Sequence, residues 1–507
     1  MADAEGIRSY HEQTKHSPAR LRSDPHTLDW ENMPRPFKVY PDLDGLPLPH
    51  DLATSAPPAL TALLDPGPAT TSATKSAVDR ADLARLLYFS AGVLRRRSYP
   101  GGEIFFRAAA CTGALYHIDL YVVCAELPDL EAGVYHFGPH DFALRRLRGG
   151  DDRAALVAAA AGEPALLDAP AILVYTSTFW RNAWKYRARA YRHSFWDAGT
   201  ILANLLAVAA AAALPAHVVQ SFVDADVNRL LDLDVEREVA LGLVALGAGA
   251  APPPPAPAIS PLRLATVPPS AREIAYPLIG SAHAATSLDL PEDVVTARVP
   301  VPAPPLDDPG TALQPLPADT VQSPIERVIL RRGATRRFPH EPIGIAELAT
   351  ILQAAAQPLD TDCPVTPEPY LIVHAVDGLD PGSYALDTAR LTLVPLRAGR
   401  FRGEAGHLGL GQDLPAEAAV NVYWLVDLEA VLARQGARGY RSAQLAAAVA
   451  GGRTYLAAYA LGLGATGLTF FDDDVTTFFS PRAAGRSVMF LMAIGRPPGR
   501  GRAVGRG

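Results

Sequence analysis

Internal similarity between the two halves of the chain constrains its fold more than any other feature. Four pairs of segments match at an offset of about 249 residues: Leu120–Val123 with Tyr370–Val373, Gly133–Tyr135 with Gly382–Tyr384, Arg189–Arg192 with Arg438–Arg441, and Ala245–Gly247 with Ala493–Gly495. Similarity at a fixed spacing is the signature of a duplicated unit. The chain has 507 residues, more than one hydrophobic core normally serves. We therefore predict two copies of one domain.

A proline-rich stretch, Ala251–Pro257, separates the two copies. It cannot lie inside a helix or a central strand, because proline lacks the backbone N–H that both structures use. We predict an N-terminal extension over residues 1–60, a first domain over 61–250, a Pro-rich linker over 251–320 and a second domain over 321–500. Long segments without a periodic pattern are expected to cover the surface in irregular structure, which applies to the extension and the linker.

Strand and helix patterns alternate within each copy. β-branched runs at Ala171–Tyr175 and Val420–Trp424 predict buried strands. A helix with one apolar face follows the first of them, with apolar residues at i, i+3 and i+4 spacings: Phe195, Ala198, Ile201, Leu202, Leu205 and Val208. The predicted class is α+β, an α/β sandwich in each domain. A duplication of this size is most simply a fused homodimer, an intrachain pseudo-dimer with alanine-rich helices at its interface.

Charge and cysteine content exclude several classes of protein. A net charge of -7 and a pI near 6.0 leave no excess of Lys and Arg for nucleic-acid phosphates. Three widely spaced cysteines suggest neither a disulfide framework nor a thiolate metal site. The N-terminus lacks the apolar core of a secretion signal, and the apolar stretch Ile201–Leu214 is too short to span a membrane. We predict a soluble cytoplasmic protein with no metal, nucleic-acid or membrane partner.

Two segments of the second half are suited to binding a phosphorylated ligand. Arg331–Phe338 contains four arginines, which can clamp a phosphate through bidentate hydrogen bonds; a solvated basic turn is the alternative. The glycines of Leu461–Gly467 let backbone amides approach a ligand, although glycine is also the usual helix stop.

Two segments of the first half complement them. The small residues of Thr112-Gly113-Ala114-Leu115 suit close contact with a planar ring, or form an ordinary turn. After Lys75 the chain has a single lysine, Lys185, which stands beside Tyr186. Because a desolvated lysine can lose its proton, Lys185 and Tyr186 are a candidate acid/base pair; a surface lysine is the alternative.

Taken together, these segments resemble the SagB-type dehydrogenases of the nitroreductase superfamily. The resemblance spans most of the chain and rests on five motifs: Tyr10–Lys15, Thr112–Tyr116, Lys185–Arg192, Arg332–Phe338 and Gly462–Asp474. It implies two tandem FMN-dependent domains and an enzyme that oxidises thiazoline or oxazoline rings to azoles in ribosomally made peptides. It also implies a peptide or small-molecule azoline substrate and, as partners, the cyclodehydratase proteins that make azolines.

The resemblance further implies which residues form the site. The cofactor FMN would be bound by residues of both halves: Arg332, Arg336, Gly464, Gly467, Thr469 and Arg496 from the second, and Thr112, Gly113, Ala114 and Leu115 from the first. Lys185 and Tyr186 would supply the catalytic acid/base chemistry. Ala334 stands where the family often has serine, so one hydrogen bond to the flavin is expected to be absent.

The two halves differ in complementary ways, which predicts one flavin per chain. The first half has Gly67–Thr71 in place of the arginine cluster and Ala213–Pro215 in place of the glycine loop. The second half has Arg434-Gln435 where Lys185-Tyr186 would repeat, and Asp362–Val365 where the Thr-Gly-Ala-Leu loop belongs.

Two other functions fit the same sequence, because a fold alone does not determine a reaction. One is an NAD(P)H-dependent nitroreductase, or a flavin dehydrogenase acting on another C–N or C–C bond. The other is a degenerate, non-catalytic scaffold that binds a peptide.

Overall fold

The computed structural model describes residues 4–64, 77–99, 102–256 and 258–498. In the first half the helices are α1 (Glu5–Gln13), α2 (Pro18–Ser23), α3 (Ala59–Leu64), α4 (Arg80–Ala91), α5 (Arg153–Ala159), α6 (Pro164–Leu167), α7 (Phe179–Tyr186), α8 (Ala190–Ala211) and α9 (Asp224–Leu230). The strands are β1 (Gly45–Pro47), β2 (Val93–Tyr99), β3 (Gly102–Arg107), β4 (Ile118–Cys124), β5 (Gly133–Gly138), β6 (Ala143–Gly149), β7 (Ala171–Thr178), β8 (Ala216–Val219) and β9 (Glu238–Leu246).

The second half follows the same plan. Its helices are α10 (Pro277–Thr286), α11 (Pro291–Thr296), α12 (Ile325–Arg331), α13 (Ile345–Ala356), α14 (Arg402–Leu408), α15 (Asp413–Glu417), α16 (Leu428–Gln435), α17 (Gly439–Ala460) and α18 (Asp472–Phe479). Its strands are β10 (Thr311–Ala312), β11 (Ile343–Gly344), β12 (Glu368–Val373), β13 (Val376–Asp377), β14 (Gly382–Asp387), β15 (Thr392–Ala398), β16 (Val420–Val426), β17 (Gly464–Leu468) and β18 (Ser487–Gly495).

The two main sheets have the same topology. The first has the strand order β1-β6-β5-β4-β7-β9-β8 and the second the order β10-β15-β14-β12-β16-β18-β17. Neighbouring strands in both sheets are antiparallel, with Leu120 opposite Tyr175 in one and Tyr370 opposite Tyr423 in the other. Both predicted strands are present, as β7 and β16. The α+β class and the duplication are therefore confirmed.

The long central helices α8 and α17 join the halves. Gly199 of α8 faces Ala448 of α17 so closely that an added Cβ would lie 2.5 Å from the alanine Cβ, and Gly452 faces Ala203 at the same distance. Each residue thus meets its own counterpart in the repeat, as expected at a pseudo-twofold axis. The helical segment Phe179–Ala211 contains an 18-residue stretch with a mean hydropathy of 1.3, which is apolar enough to cross a membrane. However, 94% of that stretch is buried inside the protein. Its apolar character is explained by packing in the core.

We expect Gly199→Ala to destabilise the protein by about 1–3 kcal/mol, because the new methyl group overpacks the crossing of α8 and α17. Urea unfolding followed by circular dichroism measures the change. Gly403→Ala is the control, since Gly403 lies in α14 with no atom within 4 Å of an added Cβ. That substitution should be neutral or slightly stabilising through its higher helix propensity. Equal midpoints for the two variants would contradict close packing at the crossing.

The extension and the linker are more regular than expected. Each contributes an edge strand to a main sheet, β1 beside β6 and β10 beside β15. Each also contributes a helix at equivalent positions, α1 and α10, which pack against each other. The expectation of irregular structure is wrong for these stretches, because helices and strands this short gain stability from the sheets and helices they pack on.

A hairpin distinguishes the two halves. In the first half residues 92–117 connect α4 to β4 and contain β2 and β3, which pair only with each other. In the second half the shorter segment 357–367 connects α13 to β12. The loop Thr112–Leu115, expected to cover the ligand, lies directly after this hairpin.

Candidate active site between the two halves

The loop Thr112–Leu115 is held against the central helix α8 by Asp197. The backbone N–H and the hydroxyl of Thr112 donate to Asp197 Oδ1 at 2.9 and 2.7 Å, and the Cys111 thiol donates to Oδ2 at 3.0 Å. Burial raises the pKa of the Cys111 thiol well above its usual value, and the nearby Asp197 raises it further, which keeps the thiol protonated as a donor. Gly113 adopts φ 66, a left-handed conformation that glycine accommodates without strain.

A buried polar chain continues from Asp197. His117 Nε2 lies 2.9 Å from Asp197 Oδ2, and His117 Nδ1 lies 2.9 Å from the Ser177 hydroxyl on β7. Sequence reasoning did not find Asp197 or His117 as determinants of the loop. The available signal was a lone carboxylate within the otherwise apolar helix α8.

Arg332 of the second half reaches the first half at the base of this loop. Its Nε and Nη2 donate to the carbonyl oxygen of Ala108 at 3.0 and 2.8 Å, and Nη2 lies 3.4 Å from the carbonyl oxygen of Arg107. The guanidinium also lies over the Tyr455 ring, 5.5 Å from its centroid. One arginine of the predicted cluster therefore contacts the segment that leads into the loop.

Tyr186 packs against the Thr112–Leu115 loop. A Cβ added to Gly113 would lie 2.8 Å from the Tyr186 hydroxyl oxygen, so the phenol is packed against the loop. Burial raises the pKa of Tyr186, Asp197 raises it further, and the positive charge of Arg336 opposes them. Lys185 is half-buried, with Nζ 5.4 Å from the centroid of the Tyr186 ring. Three predicted site residues of the first half, Gly113, Lys185 and Tyr186, thus lie together.

A row of aromatic side chains extends from Tyr186 into the second half. Ring centroids are separated by 4.6 Å between Tyr186 and His193, 4.8 Å between His193 and Trp196, and 5.7 Å between Trp196 and Phe470. The guanidinium of Arg189 lies over both Trp196 and Phe470, at 5.6 and 5.3 Å. Sequence reasoning missed His193, Trp196 and Phe470, because their alignment depends on how α7 and α8 meet β17.

The glycine loop has a more structural role than expected. A Cβ at Gly464 would lie 2.3 Å from the Thr335 hydroxyl, so this glycine lets the arginine cluster approach β17. The amide of Gly467 donates to the Tyr455 hydroxyl at 2.6 Å. Among the described residues the buried Thr469 hydroxyl has no hydrogen-bond partner. Of the three predicted residues in this loop, Thr469 therefore has the free polar atom that a ligand requires.

Arg496 lies away from the loop of the first half. Its Nε donates to the Pro342 carbonyl at 2.9 Å and its Nη2 pairs with Glu347 Oε2 at 3.1 Å, at the start of α13. The side chain is 40% exposed. The structure therefore places Arg496 on the second half only, tied to α13.

At the equivalent position on the other side of the pseudo-twofold axis, protein groups occupy the interface. Asp362 accepts hydrogen bonds from the backbone N–H groups of Gln220 and Ser221 at 2.8 and 3.0 Å. Gln435, the counterpart of Tyr186, donates to the Val299 carbonyl at 2.8 Å. Residues Gly67–Thr71, expected to lack a phosphate clamp, lie outside the described residues.

The paired arginines Arg189 and Arg438 show the same asymmetry. All three nitrogens of Arg438 bond to protein oxygens, including Gln220 O through Nε and Phe222 O through Nη2. In Arg189 only Nη1 does so; Nε and Nη2 are buried with no partner in the described part of the chain. The Nε and Nη2 donors of Arg189, which lies next to the aromatic row, are thus free, whereas the equivalent donors of Arg438 are satisfied.

Comparisons with known proteins found the following similar chains. The model described as "Nitroreductase family" matches residues 73–248 and 329–496. The crystal structure of a putative nitroreductase from Anabaena variabilis is 27% identical, with a TM-score of 0.77 over 97% of this chain and 99% of that chain. One from Desulfovibrio desulfuricans, in complex with FMN, is 22% identical, with a TM-score of 0.24 over 36% of this chain and 92% of its own. A putative nitroreductase of Methanocaldococcus jannaschii is 24% identical over 152 residues, 30% of this chain and 73% of its own length.

Proposed function

The chain belongs to the nitroreductase family, and on this premise we propose that it is an FMN-dependent dehydrogenase of SagB type, which oxidises azoline rings of a ribosomally made peptide to azoles. One observation carries the proposal. Tyr186 of the first half, with Lys185 beside it, packs against Gly113 of the same loop that Arg332 of the second half holds at its base. A candidate acid/base pair and an arginine of the predicted clamp therefore lie near one loop, an arrangement that supports flavin-dependent removal of a proton and a hydride.

The residues present fit an FMN. Arg332 and Arg336 supply guanidiniums for its phosphate or the polar edge of its ring, and the free Thr469 hydroxyl supplies a further hydrogen bond. The unpartnered donors of Arg189 suit an anionic or carbonyl oxygen of the cofactor or substrate. Residues Thr112–Leu115 would cover the ring from the other half. When bound, the flavin supplies a two-electron acceptor for hydride.

The side chains of this protein would position the azoline and move its proton. Burial raises the pKa of Tyr186, so its phenol is protonated near neutral pH and serves to donate or relay a proton. Lys185 is the member of the pair that would accept the proton, which leaves the azoline ring carbon derived from the amino-acid Cα while hydride leaves the adjacent ring carbon. His193 packs edge-on against the Tyr186 ring, and its Nδ1 is held 2.8 Å from Asn182 Oδ1, which fixes the phenol beside the loop. Placement of this kind contributes to rate by aligning the reacting groups.

We expect one FMN per chain. The interface on the other side of the pseudo-twofold axis lacks an equivalent of Tyr186, and Asp362 and Gln435 fill it with hydrogen bonds to backbone groups. The measurement is flavin absorbance released on denaturation, divided by protein concentration. Two flavins per chain would contradict the asymmetry. A colourless protein that cannot be reconstituted would favour the peptide-binding scaffold, and rapid bleaching by NAD(P)H without peptide would favour a reductase.

We further propose that the protein works in the cytoplasm with a cyclodehydratase partner. Cys111, Cys124 and Cys363 are all free thiols, as a reducing compartment would keep them. An azoline substrate must be made by cyclodehydration of a Cys, Ser or Thr residue in a peptide, so an enzyme of that class has to act first.

A further inference from the structure

We propose that the hairpin formed by β2 and β3 is a docking arm for an extended acidic segment of the peptide substrate, which would bind by adding a strand to the hairpin. The inference rests on the proposed function in one respect, that the substrate is a peptide. It is carried by the two faces, the charge and the free edges of the hairpin.

The two faces of the hairpin have different surroundings. Cross-strand partners share a face, and the pairs Arg96–Phe105 and Ser98–Glu103 form one face, which contacts the protein at its first pair and is exposed at its second. On that face Phe105 packs edge-on against Phe37, with centroids 4.8 Å apart, and Arg96 donates to the His140 carbonyl at 2.9 Å.

The opposite face is turned to solvent. It carries Arg95 opposite Phe106, Arg97 opposite Ile104, and Tyr99 at the end of β2. Tyr99 is 51% exposed and Ile104 is 42% exposed. Exposed apolar and aromatic residues beside arginines are the composition of a binding surface rather than of an ordinary solvated turn.

The charge of the outer face is unbalanced. Among the described residues neither Arg95 nor Arg97 has a carboxylate within 4 Å, although the whole chain has a net charge of -7. The Arg95 guanidinium is fixed over the Phe106 ring, 4.3 Å from its centroid. A positioned arginine without an acidic partner is complementary to a carboxylate supplied by a ligand.

The free edges of the hairpin identify the ligand as a polypeptide. In the part of the chain that the structure describes, β2 and β3 pair only with each other, so backbone N–H and C=O groups on their outer edges have no strand partner. The exception to free groups is Arg107 at the end of β3, which bonds to Tyr116 and Arg332. A two-stranded hairpin is marginally stable by itself, and a third strand completes its hydrogen bonding. A peptide can provide that strand, whereas a nucleic acid or a lipid surface cannot. The negative charge of the chain as a whole also disfavours nucleic acid.

The position of the hairpin connects it to the candidate active site. Strand β3 ends at Arg107, a few residues before the loop Thr112–Leu115. The carbonyl oxygen of Arg107 lies 3.4 Å from Arg332 Nη2. The second half has the short segment 357–367 instead of a hairpin. The arm therefore occurs only on the half that supplies the loop and the Lys185–Tyr186 pair.

The test uses the full-length protein and a fluorescent peptide that alternates glutamate and valine, with binding measured by anisotropy. We expect the double substitution Arg95→Glu/Arg97→Glu to weaken binding about tenfold or more, because two charge-assisted contacts become repulsive. The control Arg400→Glu/Arg434→Glu makes the same change in net charge at exposed arginines of the second half and should bind normally. Unchanged flavin absorbance and circular dichroism would show that both variants fold.

Two further probes decide the mode of binding. A peptide that alternates glutamate and proline has the same charge, but it loses half of its backbone N–H groups and proline fixes φ at about −65°, away from that of an extended strand, so it should bind much more weakly. Equal binding of the two peptides, equal loss in the control variant, or tighter arginine-dependent binding of a single-stranded oligonucleotide would each overturn the proposal. Peptide binding can be measured without turnover, so the two proposals can be tested separately. If Arg95→Glu/Arg97→Glu loses peptide binding but oxidises azolines normally, only the proposed docking role of the hairpin is rejected. Normal docking without azoline oxidation would reject the proposed function alone.

Discussion

Replacing Lys185 with alanine should leave FMN bound and remove most of the turnover, about 10²- to 10⁴-fold, the range typical for loss of a general acid or base. The amine lies on the edge of the site, 5.4 Å from the Tyr186 ring centroid, and does not contact the arginine cluster that would hold the cofactor. Its removal should therefore reduce kcat for an azoline peptide without changing the flavin spectrum.

Two variants make this experiment specific. Tyr186→Phe keeps the ring that packs on His193 but removes the hydroxyl beside Gly113, and it should reduce turnover in the same way. Arg187→Ala is the control, because it removes a neighbouring cation whose partner is the exposed carboxylate of Asp24. Undiminished turnover in Lys185→Ala would refute the role of the lysine. Loss of the flavin from that variant would instead show that Lys185 helps to bind the cofactor.

Replacing Asp472 with alanine should lower the free energy of unfolding by about 3–5 kcal/mol, because it leaves two buried arginines without their counter-charge. Asp472 of the second half accepts from Arg192 Nη1 at 2.6 Å and from Arg189 Nη1 at 2.9 Å, both in the first half. It also accepts from the backbone N–H of His16 at 2.8 Å, which ties the N-terminal segment to the interface. Urea unfolding followed by circular dichroism measures the effect.

The repeat and the surface provide internal controls for this prediction. Asp224 pairs with Arg438 and Arg441 at 2.7 Å in the equivalent position, so Asp224→Ala should cost a similar amount. Asp474 lies on the same helix as Asp472 but pairs at the surface with His407, and Asp474→Ala should cost less than about 1 kcal/mol. If Asp472→Ala unfolds at the same urea concentration as Asp474→Ala, the ion pairs across the interface do not hold the halves together.

The same carboxylates make stability depend on pH on the acid side. Burial raises the pKa of Asp224, but Arg438 and Arg441 outweigh burial and bring it to about 2; Asp472 is lowered further by Arg189 and Arg192. Because the folded-state pKa lies below the unfolded value, these pairs stabilise the protein fully above about pH 4 and lose their contribution as the pH falls toward 2. Asp472→Ala should therefore flatten the loss of stability below pH 4.

The strands and the arginine cluster could be predicted because each depends on residues that are adjacent in the chain, and the repeat could be predicted by comparing such segments between the two halves. Alternating or β-branched runs such as Ala171–Tyr175 and Val420–Trp424 specify strands locally, and two copies of a pattern identify a duplication without any coordinates. The contact between Arg332 and the base of the Thr112–Leu115 loop also follows from sequence, through resemblance to a family in which both elements border one cofactor.

Other features could be decided only by the tertiary structure. Asp197 and His193 are ordinary polar residues in an apolar helix until α8 is placed against the loop and α7. The sequence predicts that Gly464 and Arg496 bind the cofactor; the structure adds that Gly464 leaves room for the Thr335 hydroxyl and that Arg496 pairs with Glu347. These outcomes depend on contacts between residues far apart in the chain, whose distances are set by packing of whole elements. Local sequence records the periodicity of each element, and it does not record which atoms the folded core brings together.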